Sequence, residues 1–353
     1  MGMQARRRQT EVEKIAVGWY LGLDTSNYTT STALYDSDGN RIFQSKRLLP
    51  VKEGALGLRQ ADAVFAHVKQ LGTVTEQLCA EAGRRVNTGQ GGLPALAGIG
   101  YSARPRDAEG SYMPCFLVGE MAARVLAAVQ GVPCRPFSHQ AGHIAAALYS
   151  GGRLDLAGET FLAFHLSGGT TECLLVSPGV QTPFQVELLG QSLDLKAGQV
   201  VDRVGRMLGL SFPAGPQLDR LAQESSRKFR FRPVLREGSC SLSGIENQCQ
   251  RMVDEGEASC DIARYAIESI LASLVGMTDA ARIRCGDLPL VYSGGVMSNS
   301  MIRQAIRQRY PKALFAQTDF SCDNAAGVAV LAALSDAGSS SGREAVLCEQ
   351  DRL

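Results

Sequence analysis

Twice along this chain an apolar strand runs into a short polar turn and returns as a second strand. Residues 15–23 lead into Asp24-Thr25-Ser26-Asn27, and residues 30–35 follow. Much later, residues 160–166 lead into Ser167-Gly168-Gly169-Thr170-Thr171, and residues 173–176 are the return. A repeated unit of this kind predicts two lobes of one design. Such lobes would face each other across a cleft, a usual place for a ligand. The first unit continues through Asp36-Ser37-Asp38-Gly39-Asn40 to a third strand from Arg41, an Asp-Gly hairpin signal.

The rest of the chain alternates. Residues 58–82 have helical periodicity, with Ala61, Val64, Val68, Leu71 and Val74 on the apolar stripe. Strands are predicted over 93–101, 132–137 and 288–292, and helices over 116–129, 197–210, 300–309 and 326–334. Ser298 or Asn299 would cap the helix from Ser300. Alternation argues an α/β fold. The boundaries read as an N-terminal lobe over 15–136 and a second lobe over 137–334, whose last helix returns towards the first. Disordered tails are expected over 1–14 and over the Ser/Gly-rich stretch 335–353.

A hydrophobic fraction of 45% and a charged fraction of 20% describe an ordinary soluble protein. A net charge of +1 gives no global field for nucleic acid or an acidic membrane, so RNA would need a local patch or a partner. The ten cysteines show no CxxC spacing and read as reduced, buried thiols, which predicts a cytoplasmic protein. No stretch approaches the roughly 20 apolar residues of a membrane span.

Only four histidines occur, and two stand in Ser138-His139-Gln140-Ala141-Gly142-His143. Imidazoles four residues apart share one helix face, a spacing that suits a single divalent ion. The alternative is a pair of polar side chains at a helix N-terminus with Ser138 as its cap. Asp323, just ahead of the helix over 326–334, is either that helix's N-cap or a third, oxygen ligand.

Glycine pairs at strand ends let backbone N–H groups approach phosphate oxygens, because no Cβ intervenes. Ser167-Gly168-Gly169 and Ser293-Gly294-Gly295 both occupy such places. Tight turns use the same residues, but two of them after apolar strands favour a nucleotide. Asp202 stands on a helix beside Val201, Val204, Met207 and Leu208. It either accepts ribose hydroxyls or pairs with Arg203 or Arg206. Gly215, in Pro213-Ala214-Gly215-Pro216, marks a rigid turn. Arg227-Lys228-Phe229-Arg230-Phe231-Arg232 reads as a strand with phenylalanines inward, in preference to an RNA-backbone contact.

In this order the pieces resemble the tRNA N(6)-adenosine threonylcarbamoyltransferase family, formerly called glycoproteases or O-sialoglycoprotein endopeptidases, over residues 17–335. The family's histidine pair looks like His139 and His143, and its Ser-Gly-Gly loop looks like Ser167 to Gly169. Its helix aspartate and Pro-Gly-Gly-Pro turn look like Gly190-Gln191-Ser192-Leu193-Asp194 through Asp202 to Pro213-Ala214-Gly215-Pro216. Its Gly-Gly-Val-x-x-Asn is matched by Gly294-Gly295-Val296-Met297-Ser298-Asn299, and its closing Asp-Asn by Asp323-Asn324.

The resemblance implies a two-lobed actin-like/Hsp70-like ATPase (ASKHA) fold with a central nucleotide cleft. It implies one divalent metal ion, iron or zinc, on His139, His143 and Asp323. It also implies an adenine nucleotide, threonylcarbamoyl-AMP or ATP, held by Ser167, Gly168, Gly169, Asp202, Gly215, Gly294, Gly295 and Asn299. Asp24, His139 and His143 form the implied catalytic set. The acceptor would be the exocyclic amine of the tRNA adenosine beside the anticodon. The implied partners are a related dimerisation subunit (TsaB-like) and a donor-making enzyme (TsaC-like), with no membrane. The peptidase activity of the older name is not expected, because Gln140, Ala141 and Gly142 supply no general base between the histidines.

Four departures stand out. Asn27-Tyr28-Thr29 replaces the family's Cys-Asp-Glu, and Ser243-Gly244-Ile245-Glu246-Asn247 replaces Ser-Gly-Leu-Lys-Thr. Ser102-Ala103-Arg104-Pro105-Arg106-Asp107 replaces a Gly-Pro-Gly turn, and Thr170 replaces a histidine. They leave a second expectation standing: a diverged nucleotide- and metal-binding paralogue with another acceptor, or a non-catalytic partner subunit.

Overall fold

The computed structural model describes residues 17–26, 28–50, 58–86, 94–180, 182–320 and 325–339. In chain order the elements are β1 Trp19–Ser26, β2 Thr29–Asp36, β3 Arg41–Leu48, α1 Gln60–Val86, β4 Leu96–Arg104, α2 Phe116–Gln130, β5 Cys134–Ser138 and α3 His139–Ser150. Then come β6 Phe161–Leu166, β7 Thr171–Pro178, β8 Phe184–Gln191, α4 Ala197–Met207, α5 Gly215–Gln223, β9 Leu235–Arg236, β10 Ser239–Cys240, α6 Ser243–Asp254 and α7 Ser259–Cys285. The last are β11 Leu290–Ser293, α8 Ser300–Arg309, β12 Leu314–Phe315 and α9 Ala325–Ser339. Two compact units result. One is drawn from Met1–Pro105, Gly110–His139 and Val328–Leu353, the other from Arg106–Glu109 and Gln140–Gly327.

Unit 1 carries a five-stranded sheet in the order β3-β2-β1-β4-β5. β1, β2 and β3 form an antiparallel meander, and β4 and β5 run parallel to β1 and to each other. The Asp-Gly hairpin closes as expected: Asp36 Oδ1 accepts from Gly39 N at 3.1 Å, and Asn40 takes φ 45°. Side chains alternate across the sheet. Leu21, Leu23, Ile99 and Tyr101 pack with Leu71 and Leu78 of α1 and Val118 and Ala123 of α2. Gly22, Asp24, Gly100 and Ser102 therefore face the other way. On that side Gly100 lies against Val328 of α9, and Arg135 pairs with Asp336 at 2.6 Å.

The expected stripe of α1 is turned. Ala61 and Val68 are exposed, while His67 and Gln70 are buried. Thr30 Oγ1 lies 2.8 Å from His67 Nδ1 and donates to Gln70 Oε1 at 3.2 Å. A buried polar pair with a buried partner outweighs the apolar periodicity here.

Unit 2 repeats the plan with order β12-β11-β6-β7-β8. β6, β7 and β8 are an antiparallel meander, and β6, β11 and β12 run parallel. Leu162, Phe164 and Leu166 of β6 enter the main core with α4 to α8, and Phe164 stacks on Tyr292, centroids 4.8 Å apart. The other face takes His165 and lies under α3. Helix α7 was not expected, although Ile262, Ala266, Ile270, Leu274 and Met277 recur at helical spacing in its buried face.

Two expectations are corrected. Residues 227–234 form no strand; Phe229 and Phe231 instead bracket the Tyr265 ring, each with centroids 5.3 Å away, and Arg227 pairs with Glu257. Helix α9 runs to Ser339, so the first five residues of the expected tail, 335–339, are helical.

Candidate functional site

Asp24, near the end of β1, is 1% exposed. Its carboxylate accepts from Ser26 N at 3.1 Å and Ser26 Oγ at 3.4 Å, and it lies 3.1 Å from Nδ1 of His139. An ionised carboxylate only accepts, so this contact is made by the Nδ1–H of His139. Thr25, on the opposite face, donates to the Cys115 carbonyl at 2.9 Å and accepts from Gly119 N at 3.0 Å, which fixes the start of α2. Nearby His67 is fully buried, and burial pushes its imidazole below the ordinary range against the opposing charge of Asp24.

In unit 2 the Ser167–Thr170 turn is closed by its own serine. Ser167 Oγ accepts from Gly169 N and Thr170 N at 3.3 and 3.1 Å, and Ser167 N donates to the Thr170 carbonyl at 2.7 Å. A Cβ on Gly168 or Gly169 would meet nothing within 4 Å, so packing does not demand glycine there. Helix α4 abuts the turn from behind: a Cβ on Gly198 would lie 2.6 Å from Gly168 N.

The second turn stands beside the first, because β11 pairs in parallel with β6 and Ser293 aligns with His165. Gly294 adopts φ 95° with its Cα against the Leu166 backbone, so the fold itself requires glycine there. Gly295 has open space.

Asp202 accepts from Ala214 N at 3.0 Å, tying α4 to the turn at 213–216, and Gly215 opens α5. Arg203 pairs with Glu246 at 2.8 Å, away from Asp202. Asn299, not Ser298, caps α8, its Oδ1 accepting from Ile302 N at 3.0 Å. Asp194 binds Leu242 N at 2.7 Å and Ser243 Oγ at 2.6 Å. Burial pushes its carboxyl up, but these hydrogen bonds outweigh burial and leave it below the usual carboxylate range.

His139 and His143 both stand on α3. Among the described residues, no three His, Cys, Asp or Glu side chains are grouped to hold an ion by themselves, and Asp323 lies outside the described residues.

Sequence reasoning missed two residues beside α3, His165 and Glu172. The His143 ring lies against His165, centroids 4.2 Å apart, and His165 Nδ1 lies 3.0 Å from Ser293 Oγ. Glu172, 2% exposed, accepts from Gln140 Nε2 at 2.8 Å and pairs with Arg106. The signal available was a histidine and a glutamate at the ends of apolar strands. Arg106 comes from the segment that replaces the family's glycine turn.

A model of the TsaD family, tRNA N6-adenosine threonylcarbamoyltransferase, matches residues 57–330. Among solved structures, the full-length HypF structure in its phosphate- and nucleotide-bound form is similar with TM-score 0.58 at 13% identity, over 93% of this chain and 47% of that one. HypF from T. kodakarensis gives TM-score 0.58 at 14% identity, over 91% of this chain and 48% of that one. Component A of the Acidaminococcus fermentans (R)-2-hydroxyglutaryl-CoA dehydratase gives TM-score 0.53 at 16% identity, over 92% of this chain and all of that one. These likenesses show the fold, which is that of the actin-like ATPases.

Proposed function

The chain belongs to the tRNA N6-adenosine threonylcarbamoyltransferase (TsaD) family, and we propose that it transfers the threonylcarbamoyl group of threonylcarbamoyl-AMP to the exocyclic amine of the tRNA adenosine beside the anticodon. The observation that carries this reading is the pair of glycine turns, Ser167–Gly169 and Ser293–Gly295, at the ends of two adjacent parallel strands. Ligands of open α/β sheets bind outside the carboxyl ends of strands. Gly168, Gly169 and Gly295 are glycine where packing does not ask for it, which suits close approach of a phosphate. Ser167 and Gly294 shape the two turns, and Asn299, Asp202 and Gly215 hold the elements behind them. Asp202 and Asn299 are engaged in structural hydrogen bonds, so their part in this reading is to support the nucleotide seat.

His139 and His143 would hold iron or zinc, with Asp323 as the oxygen ligand the family pattern suggests. The fit rests on donor chemistry. Asp24 accepts a hydrogen bond from the Nδ1–H of His139, the carboxylate–histidine arrangement that commonly stands behind a metal-bound imidazole. When bound, the ion supplies Lewis-acid polarisation of the donor's oxygens. Asp24 orients His139, and Gly327 of α9 seats the helix after Asp323 against Gly142, next to His143.

The partner side rests on α2. Leu117, Met121, Val125 and Val129 are 48–81% exposed at helical spacing, a stripe suited to a helix of a TsaB-like subunit. A TsaC-like enzyme is needed to make the donor. No helix of the described residues is long and apolar enough to cross a membrane, and the described cysteines are all free thiols, in keeping with a cytoplasmic place.

A second reading, a paralogue with another acceptor or a non-catalytic subunit, is favoured by the departures. Glu246 neutralises Arg203, and Arg106 is drawn to Glu172. Nucleoside mass spectrometry of unmodified tRNA, incubated with this protein, threonine, bicarbonate, ATP and the donor-making and partner proteins, separates the two. Threonylcarbamoyl-adenosine is the expected product. Its absence while nucleotide still binds would favour the second reading.

A further inference from the structure

The basic and aromatic run that begins at Arg227 takes no part in the nucleotide seat. It has no ladder partner before β9, and it lies along α7 with every second side chain against that helix. Phe229 and Phe231 flank Tyr265. Pro233 and Leu235 stand beside Gly276, where a Cβ would come within 3.1 Å of Pro233 Cγ and 3.3 Å of Leu235 Cδ1. Tyr265 and Gly276 are about three helical turns, or about 16 Å, apart. So few residues reach that far only as an extended chain, and Pro233 keeps Arg232 out of the helical region.

A period of two turns the other set outward. Lys228, Arg230, Arg232 and Arg236 are all exposed. Among the described residues, none of the four meets a carboxylate at ion-pair distance. No Asp or Glu stands between Arg227 and Arg236. The acids of α7 beneath the strap are already engaged: Asp261 by Arg227, Glu268 by Arg264 and Asp279 by Arg309. Against a net charge of +1 for the whole chain, this row is a local positive field.

Outward residues two apart stand about 6.6 Å from each other, on the scale of successive phosphates along one nucleic-acid strand. A docked protein would want an apolar anchor. Here both aromatic rings are turned inward, and Val234 is the strap's one large apolar side chain left exposed. The inward rings also offer no platform for stacked bases. The strap therefore reads charge and not sequence. We propose that Lys228, Arg230, Arg232 and Arg236 form a phosphate-backbone contact for the RNA acceptor. The inference rests on the tRNA reading above.

Fluorescence anisotropy of labelled, unmodified tRNA with the full chain, repeated across potassium chloride concentrations, tests it. Arg230→Gln with Arg232→Gln should weaken binding by about 10-fold or more at about 0.1 M salt. The slope of log affinity against log salt should fall by about 1.4–1.8, the share of two phosphate contacts. Arg230→Lys with Arg232→Lys, which keeps the charge, should retain most of both. The loss should be the same on a tRNA with another anticodon, because phosphates carry no sequence. Both positions are exposed, so circular dichroism should show an unchanged fold. Equal affinity and slope in wild type and the glutamine variant would overturn the proposal and leave the tRNA reading standing. Poly-glutamate that binds as tightly as tRNA, with the same dependence on Arg230 and Arg232, would overturn it in favour of an acidic protein partner. A wild-type chain that binds no tRNA would also overturn it, and the modified nucleoside then decides the transfer reading on its own.

Discussion

Gly327 of α9 and Gly142 of α3 meet backbone to backbone, so closely that a Cβ on Gly327 would fall inside the Gly142 carbonyl oxygen. This contact seats α9 against the turn of α3 that carries His143. Alanine in place of a helical glycine normally adds up to about 1 kcal/mol of helix propensity. Here the clash is with backbone, which no rotamer change relieves, and overpacking costs about 1–3 kcal/mol. Gly327→Ala should therefore lower stability in urea unfolding. A gain would show that the two helices stand further apart.

Glu172 should need Arg106. Its carboxylate is buried, and removing the partner of a buried charge leaves it uncompensated. Arg106 is itself half exposed and Gln140 remains, so Arg106→Ala should cost about 2 kcal/mol, below the 3–5 of a fully buried pair. Arg106→Ala with Glu172→Gln should recover most of that loss. Additive single effects in this double-mutant cycle would show that the pair is not coupled.

Gly198→Ala tests the first glycine turn. Its Cβ would press on Gly168 N at 2.6 Å and on the Ser167 carbonyl carbon at 2.7 Å. The Ser167–Thr170 turn must shift, and adenine-nucleotide affinity should fall by about 10-fold or more, since 1.4 kcal/mol is one decade. Unchanged affinity in a calorimetric titration would mean that the nucleotide does not use this turn.

What the sequence displays is local. The Asp36–Asn40 hairpin, the two glycine turns and the spacing of His139 and His143 are set by neighbours, and each is legible. The partners that give the histidines their chemistry are not. Asp24 stands 115 residues before His139, and Ser293 stands 128 residues after His165. Nothing in either stretch marks its counterpart, because strand order in the sheet makes the pairing. The α1 stripe fails for a related reason: His67 and Gln70 are buried to meet Thr30, and periodicity counts only apolar residues. The two-lobe plan was readable because each lobe repeats strand, turn and strand.

His67 makes unit 1 sensitive to acid. Burial lowers its imidazole below the ordinary 6.5, so the fold favours the neutral ring. Its contribution is therefore complete above that value and is lost as pH falls towards the folded pKa. His67→Gln should flatten the stability profile below pH about 6.5, measured as urea midpoints across pH. The same slope in the variant would assign the acid sensitivity to other groups.

The buried thiols should resist alkylation in the folded protein. Burial pushes Cys115 and Cys240 up to about 11, and Cys173 and Cys249 up to about 12. The thiolate is the nucleophile, and one pKa unit is one decade in its population. At pH 8 about one Cys115 in a thousand is ionised and about one Cys173 in ten thousand, before access is counted. Cys260 and Cys285 are only partly buried. Iodoacetamide at pH 8, read peptide by peptide in a mass spectrometer, should label Cys260 and Cys285 ahead of the four buried thiols. Cys115, Cys173, Cys240 and Cys249 should react only when urea opens the fold. Early labelling of Cys173 or Cys249 without denaturant would mean that the unit 2 core opens far more readily than its packing implies.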